Sequence, residues 1–437
     1  MEWWLVFLVI FGSLMLMLMT RMPVAFCFIL LDVVGAVFIF GGSAGLLQFI
    51  LSMADSVASF TLTPIPLFFL MGSVLQHSGM ATTAIDSLDR ILGRLPGRLC
   101  ILATLWSTIF AALSGSGFAN IALLGSAVAP EMRRRGYADT MIMGPIMGGA
   151  ALAPLIPPSG ITIIFASLAE ISIGKLLIAG IIPGLIMSSV FVIYIIVRCI
   201  LNPSLAPAYA VEKRPLSQTM IAMLRDVLPL GLIFFLAVVV IFLGVCTPTE
   251  AAALGAVGSV ILAASYRKLN LKIIKASTRA TLRITVMVLM IMVGAKGFSQ
   301  ILAYTGATGA LVERVTMLEV SPLVVLIAMQ IIVLFLGCFI NEIPILIMIV
   351  PLYASVAAAF GMHPMWFGIV TMICATLGAI TPPFGQYLFI MQGVSPPGTP
   401  MAIVYRAAFP FIWLELVPVI VFLAVPSIVT WLPDMMG

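Results

Sequence analysis

Apolar stretches of about 20 residues follow one another along almost the whole chain, each long enough to cross the roughly 30 Å hydrocarbon core of a bilayer. The first, Trp3 to Met19, has no basic leader and no small-residue cleavage site, so it is expected to remain as a span. Two stretches are too long for one span and too short for two. They are Leu99 to Met132, centred on Ser114-Gly115-Ser116-Gly117-Phe118-Ala119-Asn120, and Ser321 to Tyr353, centred on Asn341-Glu342-Ile343-Pro344. After each comes an apolar run broken by prolines, at Pro154-Leu155-Ile156-Pro157-Pro158-Ser159-Gly160 and at Thr381-Pro382-Pro383-Phe384-Gly385. The pattern predicts an all-α integral membrane protein with two hairpins and two broken helices.

Charge adds topology. Basic residues cluster at Arg90, Arg94 and Arg98, at Arg133 to Arg135, around the loop from Arg198 to Arg225, and from Arg267 to Arg283. The positive-inside rule puts these clusters on the cytoplasmic side. Both ends of 99–132 are then cytoplasmic, and the economical solution is a re-entrant hairpin whose tip lies near the midplane. The other solution is two short, tilted spans with a polar turn outside. Non-helical backbone at membrane depth needs protein or a water-filled site around it. The flanks of 321–353 carry few basic residues, so that hairpin is expected to open outward.

Position then suggests a repeat. Asn120 and Asn341 are 221 residues apart, as are Pro130 and Pro351. Pro157-Pro158 and Pro382-Pro383 are 225 apart, as are Pro23 and Pro248. The layout is an inverted repeat of two halves, each with five membrane spans plus one re-entrant hairpin. Eighteen of the 21 basic residues fall inside on this arrangement. The segments are 1–98, spans and an arm; 99–175, with hairpin 99–132 and broken helix 139–170; 176–226, a span and a cytoplasmic linker; 227–320, spans; 321–395, with hairpin 321–353 and broken helix 364–394; and 396–437, the last span. Residues Ala81 to Arg98 read as an amphipathic helix on the membrane surface.

Composition closes off other classes. The chain of 437 residues is 62% hydrophobic and 8% charged, with mean hydropathy +1.25. Too little charge is present to cover a soluble protein of this size. The six cysteines are scattered singly and read as buried apolar residues. No nucleotide loop, zinc motif or dinucleotide turn occurs, the net charge of +5 reflects cytoplasmic loops rather than nucleic-acid binding, and no cofactor is expected.

Broken helices free carbonyls that can cage a hard monovalent cation, while half-helix N-termini attract anions. Ser114, Ser116 and Asn120 with Pro157 and Ser159 offer one Na⁺ site; Asn341, Glu342, Thr381 and Pro382 offer a second. The same Ser, Gly and Asn residues also suit close packing and capping at kinks. Lys296, inside a span, either meets a substrate carboxylate or pairs with Glu342. Ser116, Asn341, Glu342, Thr381, Phe384 and Gln386 are further candidates for the substrate pocket. Asp32, His77 and Glu415 read as packing or interface residues. Thr247-Pro248-Thr249-Glu250 reads as a capping box opening a helix that runs to Ser265.

The chain resembles the large membrane subunit of tripartite ATP-independent periplasmic (TRAP) transporters over its whole length. The resemblance rests on Pro64-Ile65-Pro66-Leu67-Phe68, Ser114-Gly115-Ser116 with Asn120, Pro157-Pro158-Ser159, Thr247-Pro248-Thr249-Glu250-Ala251-Ala252-Ala253 and Thr381-Pro382-Pro383-Phe384-Gly385. It departs from the family at Asn341, where many members carry Asp, and at Phe384, often smaller and aliphatic. The resemblance implies a Na⁺-driven importer of organic acids in a bacterial or archaeal inner membrane. It also implies an elevator mechanism, with hairpins and broken helices as the transport elements and the other spans as scaffold. Implied partners are a separate four-span small membrane subunit and a periplasmic substrate-binding protein. By transfer, the first Na⁺ site uses Ser114, Ser116, Asn120 and the Pro157-Ser159 break, and the second uses the Asn341 tip and the Thr381-Pro383 break. The rival readings are a divalent-anion/Na⁺ symporter working without partners and, more remotely, an intramembrane enzyme, for which Lys296 with a hairpin serine is the only candidate pair. A channel fits inverted hairpins poorly.

Overall fold

A computed structural model of the protein describes residues 3–20, 22–39, 42–80, 83, 87, 97–114, 116–207, 220, 221 and 223–436. Among them every regular element is helical. The chain opens with α1 (Trp3–Met19), α2 (Val24–Phe38), α3 (Ser43–Ala58) and α4 (Pro64–His77). A hairpin of α5 (Arg98–Ser114) and α6 (Gly117–Ala127) continues into α7 (Ala129–Arg134). Next come α8 (Asp139–Ala151) and α9 (Gly160–Leu168), the arms of the first broken helix, then α10 (Ile173–Ala179) and α11 (Ile181–Leu201). The chain resumes with α12 (Leu228–Phe242), α13 (Pro248–Ser265), α14 (Leu271–Tyr304) and α15 (Ala307–Thr316). The second hairpin is α16 (Pro322–Gly337) with α17 (Glu342–Ala359), and the second broken helix is α18 (Pro364–Ile380) with α19 (Gln386–Gly393). The chain ends with α20 (Met401–Ala424) and α21 (Ser427–Asp434).

Local chemistry explains the ends. Pro begins α4, α13, α16 and α18, where its missing N–H costs nothing. Ser116, Ser159, Ser321 and Asn341 cap α6, α9, α16 and α17 through their side chains. At Thr247 the full capping box forms: its side chain accepts from the Glu250 N–H, and Glu250 accepts from the Thr247 N–H at 2.7 Å. Both proline pairs at the breaks, Pro157-Pro158 and Pro382-Pro383, are cis.

Seven helical stretches among the described residues are long and apolar enough to span a membrane, fewer than the ten expected spans. Shorter apolar helices include α1, α2, α3 and α18. Between residues 43 and 77, α3 and α4 are separate helices joined by the 3₁₀ turn Phe60–Leu62. The second hairpin runs past Tyr353 to Ala359, and α15 is a helix that the apolar pattern does not announce. The surface helix expected over 81–98 lies largely outside the described residues. Of its described residues, Thr83 accepts from Lys268 Nζ at 2.6 Å and Ser87 donates to Asp226 at 2.7 Å.

Burial sorts the helices. On α13 a stripe of Leu254, Val257 and Ile261 is exposed, suited to lipid, while the small residues Ala251, Ala252, Gly255 and Ala256 are buried against α4. On α16 Val324, Ile331 and Phe335 are exposed. By contrast α18 is buried from Met365 to Ile380, and α8 from Met141 to Ala151. The broken helices therefore form the centre of the molecule. Small residues allow close packing there. A Cβ on Gly149 of α8 would lie 2.6 Å from Ser107 Cβ of α5, and one on Gly378 of α18 would lie 2.6 Å from Gly337 Cα of α16. Each hairpin is thus clasped to its own broken helix.

Candidate functional site at the hairpin tips and the Lys296 cavity

At the first tip, Ser116 caps α6 by accepting from the Ala119 N–H. One turn on, Asn120 is buried, and its Nδ2 donates to Ser107 Oγ at 2.5 Å. Ser107 in turn donates to the Ile146 carbonyl of α8 at 2.5 Å. The Asn120 Oδ1 is buried without a hydrogen-bond partner. Ser159 caps α9 by accepting from the Thr162 N–H, and Thr162 Oγ1 donates to the Pro154 carbonyl at 2.5 Å, closing the break. Pro157 is half-buried within it. Ser114 ends α5 next to the tip.

At the second tip, Asn341 accepts from the Ile343 N–H at 2.9 Å. Glu342 is fully buried: one oxygen accepts from the Tyr387 hydroxyl at 3.2 Å, and the other has no partner. The structure joins this tip to the second break. Phe384 lies on Phe339 with ring centroids 5.4 Å apart, and Gln386 Nε2 donates to the Phe339 carbonyl at 3.4 Å. Beside Pro382, Thr381 Oγ1 donates back to the Leu377 carbonyl at 2.6 Å, and Tyr405 donates to the Pro383 carbonyl at 2.8 Å.

Tyr387, which no sequence motif singles out, brings the two tips together. It is fully buried on α19, hydrogen-bonded to Glu342 of the second tip and edge-on to Phe118 of the first at 5.1 Å. A Cβ on Gly117 would fall 1.8 Å from its hydroxyl oxygen, so only glycine leaves room there. The one available signal was general: a tyrosine buried in an apolar protein needs a partner for its hydroxyl.

Lys296 stands elsewhere. It lies in the last third of α14 and lines a cavity of about 910 Å³. The walls come from α3, the 3₁₀ turn, the end of α9, α14 and the second half of α17. Ser52, Asp55, Ser56, Glu170 and Gln300 supply polar groups, and Gln300 Nε2 donates to Ser52 Oγ at 2.9 Å. The ion pair of Lys296 is with Glu170, Nζ to Oε1 at 3.8 Å, which corrects the alternative pairing with Glu342. None of Ser116, Asn341, Glu342, Thr381, Phe384 or Gln386 lines this cavity, so the expected pocket divides into a tip region and a separate lysine cavity. Asp55 and Glu170 were not anticipated; isolated acids at the ends of apolar runs read as ordinary helix termini. Asp32 and Glu415 are fully buried with both carboxylate oxygens unpartnered, and His77 stays beside Ser73.

Comparison with known proteins follows the same lines. The family model described as the tripartite ATP-independent periplasmic transporter, DctM component, matches residues 11–428. The C4-dicarboxylate TRAP transporter large permease protein DctM of Pseudomonas aeruginosa is 32% identical over 91% of this chain and 94% of its own. The ectoine TRAP transporter large permease protein TeaC of Halomonas elongata is 28% identical over 92% and 93%. The sialic acid TRAP transporter large permease protein SiaM of Vibrio cholerae is 29% identical over 96% and 95%. Among solved structures, the YdaH transporter of Alcanivorax borkumensis aligns with TM-score 0.63 at 15% identity over 88% of this chain and 89% of that chain. MtrF of Neisseria gonorrhoeae aligns with TM-score 0.64 at 12% identity over 92% and 94%. These two likenesses concern the fold alone.

Proposed function

We infer the function from one premise: this chain belongs to the DctM family of TRAP transporter large permeases, and so is a multi-pass membrane transport protein and not an enzyme. We propose that it imports a small organic acid across a bacterial or archaeal inner membrane, driven by Na⁺. A periplasmic binding protein delivers the solute, and a separate small membrane subunit supports the permease. The relatives' printed substrates, C4-dicarboxylates, ectoine and sialic acid, all carry carboxylates and bound the search.

The observation that carries this reading is Lys296 in its cavity. A cation standing between α14 and the mobile-element candidates α9 and α17 can take a substrate carboxylate from its weak, exposed pairing with Glu170. The basic cluster Lys272 to Arg283 marks the other end of α14 as cytoplasmic, so the cavity faces outward, where a binding protein docks.

Na⁺ is carried at the tips. Asn120 Oδ1 and a Glu342 oxygen, buried and unpartnered, are the free oxygens a dehydrated cation requires. The remaining ligands come from Ser114, Ser116 and the Pro157–Ser159 break at one site, and from Asn341, Thr381 and Pro382 at the other. The meeting of both tips at Tyr387 supports hairpins entering from opposite sides, as an inverted repeat requires. The hairpin-and-broken-helix core then moves as an elevator against a scaffold of α1–α4 and α12–α14, taking over solute that Lys296, on the scaffold side of the cavity, has received from outside.

Proteoliposomes holding the permease, its small subunit and loaded binding protein test this. Uptake should require Na⁺, and Lys296→Gln should lower it at least tenfold, about the 1.5–3 kcal/mol of a charge-assisted hydrogen bond. Uptake unchanged when K⁺ replaces Na⁺ would remove the coupling claim. Full uptake without binding protein would favour the partner-independent symporter.

A further inference from the structure

The charges around Lys296 narrow the substrate class. One lysine shares the cavity with two carboxylates, Asp55 from α3 and Glu170 after α9. Lys296 is already matched by Glu170 at 3.8 Å, which leaves Asp55 as surplus negative charge. Glu170 is set there by a left-handed backbone, φ +56°, a conformation that costs a residue with a side chain of its size. Hydroxyl and amide groups fill the rest of the polar wall. Among them, Ser167 Oγ is buried with no hydrogen-bond partner and belongs to the cavity lining.

A dianion fits this arrangement poorly. Its first carboxylate has a lysine, but its second meets Asp55 or the displaced Glu170, and like charges in one cleft repel. A zwitterion matches both signs: its carboxylate replaces Glu170 at Lys296, and its cationic nitrogen takes the freed Glu170 or Asp55. The carboxylates are exposed, so each discriminates modestly. Low-dielectric walls restore part of the field that solvent screens.

We propose that the Lys296 cavity selects a compact zwitterion, a carboxylate with a cationic nitrogen, over a dicarboxylate. This rests on the transport reading above and on the role of Lys296 in it. The choice runs against the relative of higher identity among those described, the C4-dicarboxylate permease, and towards the chemistry of the ectoine permease. Rejection of the dianion, through Asp55 and Glu170, is as much a part of the specificity as attraction to Lys296.

The test uses the full permease with its small subunit in detergent, without a binding protein, so that only this cavity chooses. Ectoine and glycine betaine are compared with succinate and fumarate in thermal-shift and calorimetric titrations at neutral pH and fixed ionic strength. At least one zwitterion is expected to bind about tenfold more tightly than either dianion. The double substitution D55N with E170Q should erase most of that preference by strengthening dianion binding, a gain that misfolding does not produce. Dianions binding as tightly as the zwitterions, or a preference unchanged in the double variant, overturns the proposal. Lys296→Gln separates the two readings. Dianion binding in the native protein that disappears in Lys296→Gln keeps the organic-acid function and rejects the zwitterion. Solute binding that survives Lys296→Gln undiminished rejects the lysine site itself.

Discussion

Glu342 and Tyr387 show what a single contact carries in this interior. Glu342 is buried, and its side-chain hydrogen bond comes from Tyr387. Tyr387→Phe keeps the ring on Phe118 but removes the side-chain hydrogen bond to the buried carboxyl. It should destabilise the protein by about 1–3 kcal/mol, read as a lower melting temperature in detergent, with Na⁺ recovering part of the loss. No recovery by Na⁺ would count against Glu342 as a cation ligand. Gly117→Ala is the harsher change, because the new methyl falls on the Tyr387 hydroxyl. It should abolish uptake even where the protein still inserts in the membrane, and normal uptake would mean the tips do not meet as described. At this scale the sequence was partly informative. Glu342 and Lys296 stood out because ionisable groups are rare in spans. Their partners did not, since Tyr387 and Glu170 lie far from them along the chain.

Helix ends were the most legible elements, because capping is local chemistry. The box at Thr247 and Glu250 forms as its residues dictate, and the helix it opens ends at Ser265. Thr247→Ala should cost about 1 kcal/mol of stability without altering substrate preference, measured by thermal melts beside ligand titrations. A changed preference would give this stretch a role in the site. The proline breaks were equally readable, since proline lacks the N–H that a helix interior uses. The interruption between α3 and α4 and the helix α15 were not. Neither is marked by apolar periodicity; α4 opens at Pro64, and α15 follows Gly306 in the left-handed conformation.

Across the whole molecule, the Lys296–Glu170 pair joins helix α14 to the end of a broken helix. An elevator must separate these groups in every cycle. Ala169→Cys with Ser299→Cys, two cavity-lining positions outside the charged site, bridged by a short reducible thiol cross-linker, should stop uptake, and reduction should restore it. The six native cysteines make no disulfide among the described residues, and five are buried, so the single-cysteine variants serve as controls. A cross-linked protein that transports at the native rate would show that α14 and this loop travel together.

By itself, the sequence determined that the chain is a helical membrane protein, where prolines interrupt its apolar runs, and which family it belongs to. Apolar run length, proline and caps act over one to a few turns, and a linear reading captures them. Only the tertiary structure decided that the tips meet at Tyr387, and that Lys296 faces Asp55 and Glu170 in a cavity apart from them. Those contacts join residues distant in sequence, and their geometry depends on how closely the helices between them approach. Gly117 shows this at the tips, since its missing side chain matters only once Tyr387 lies against it.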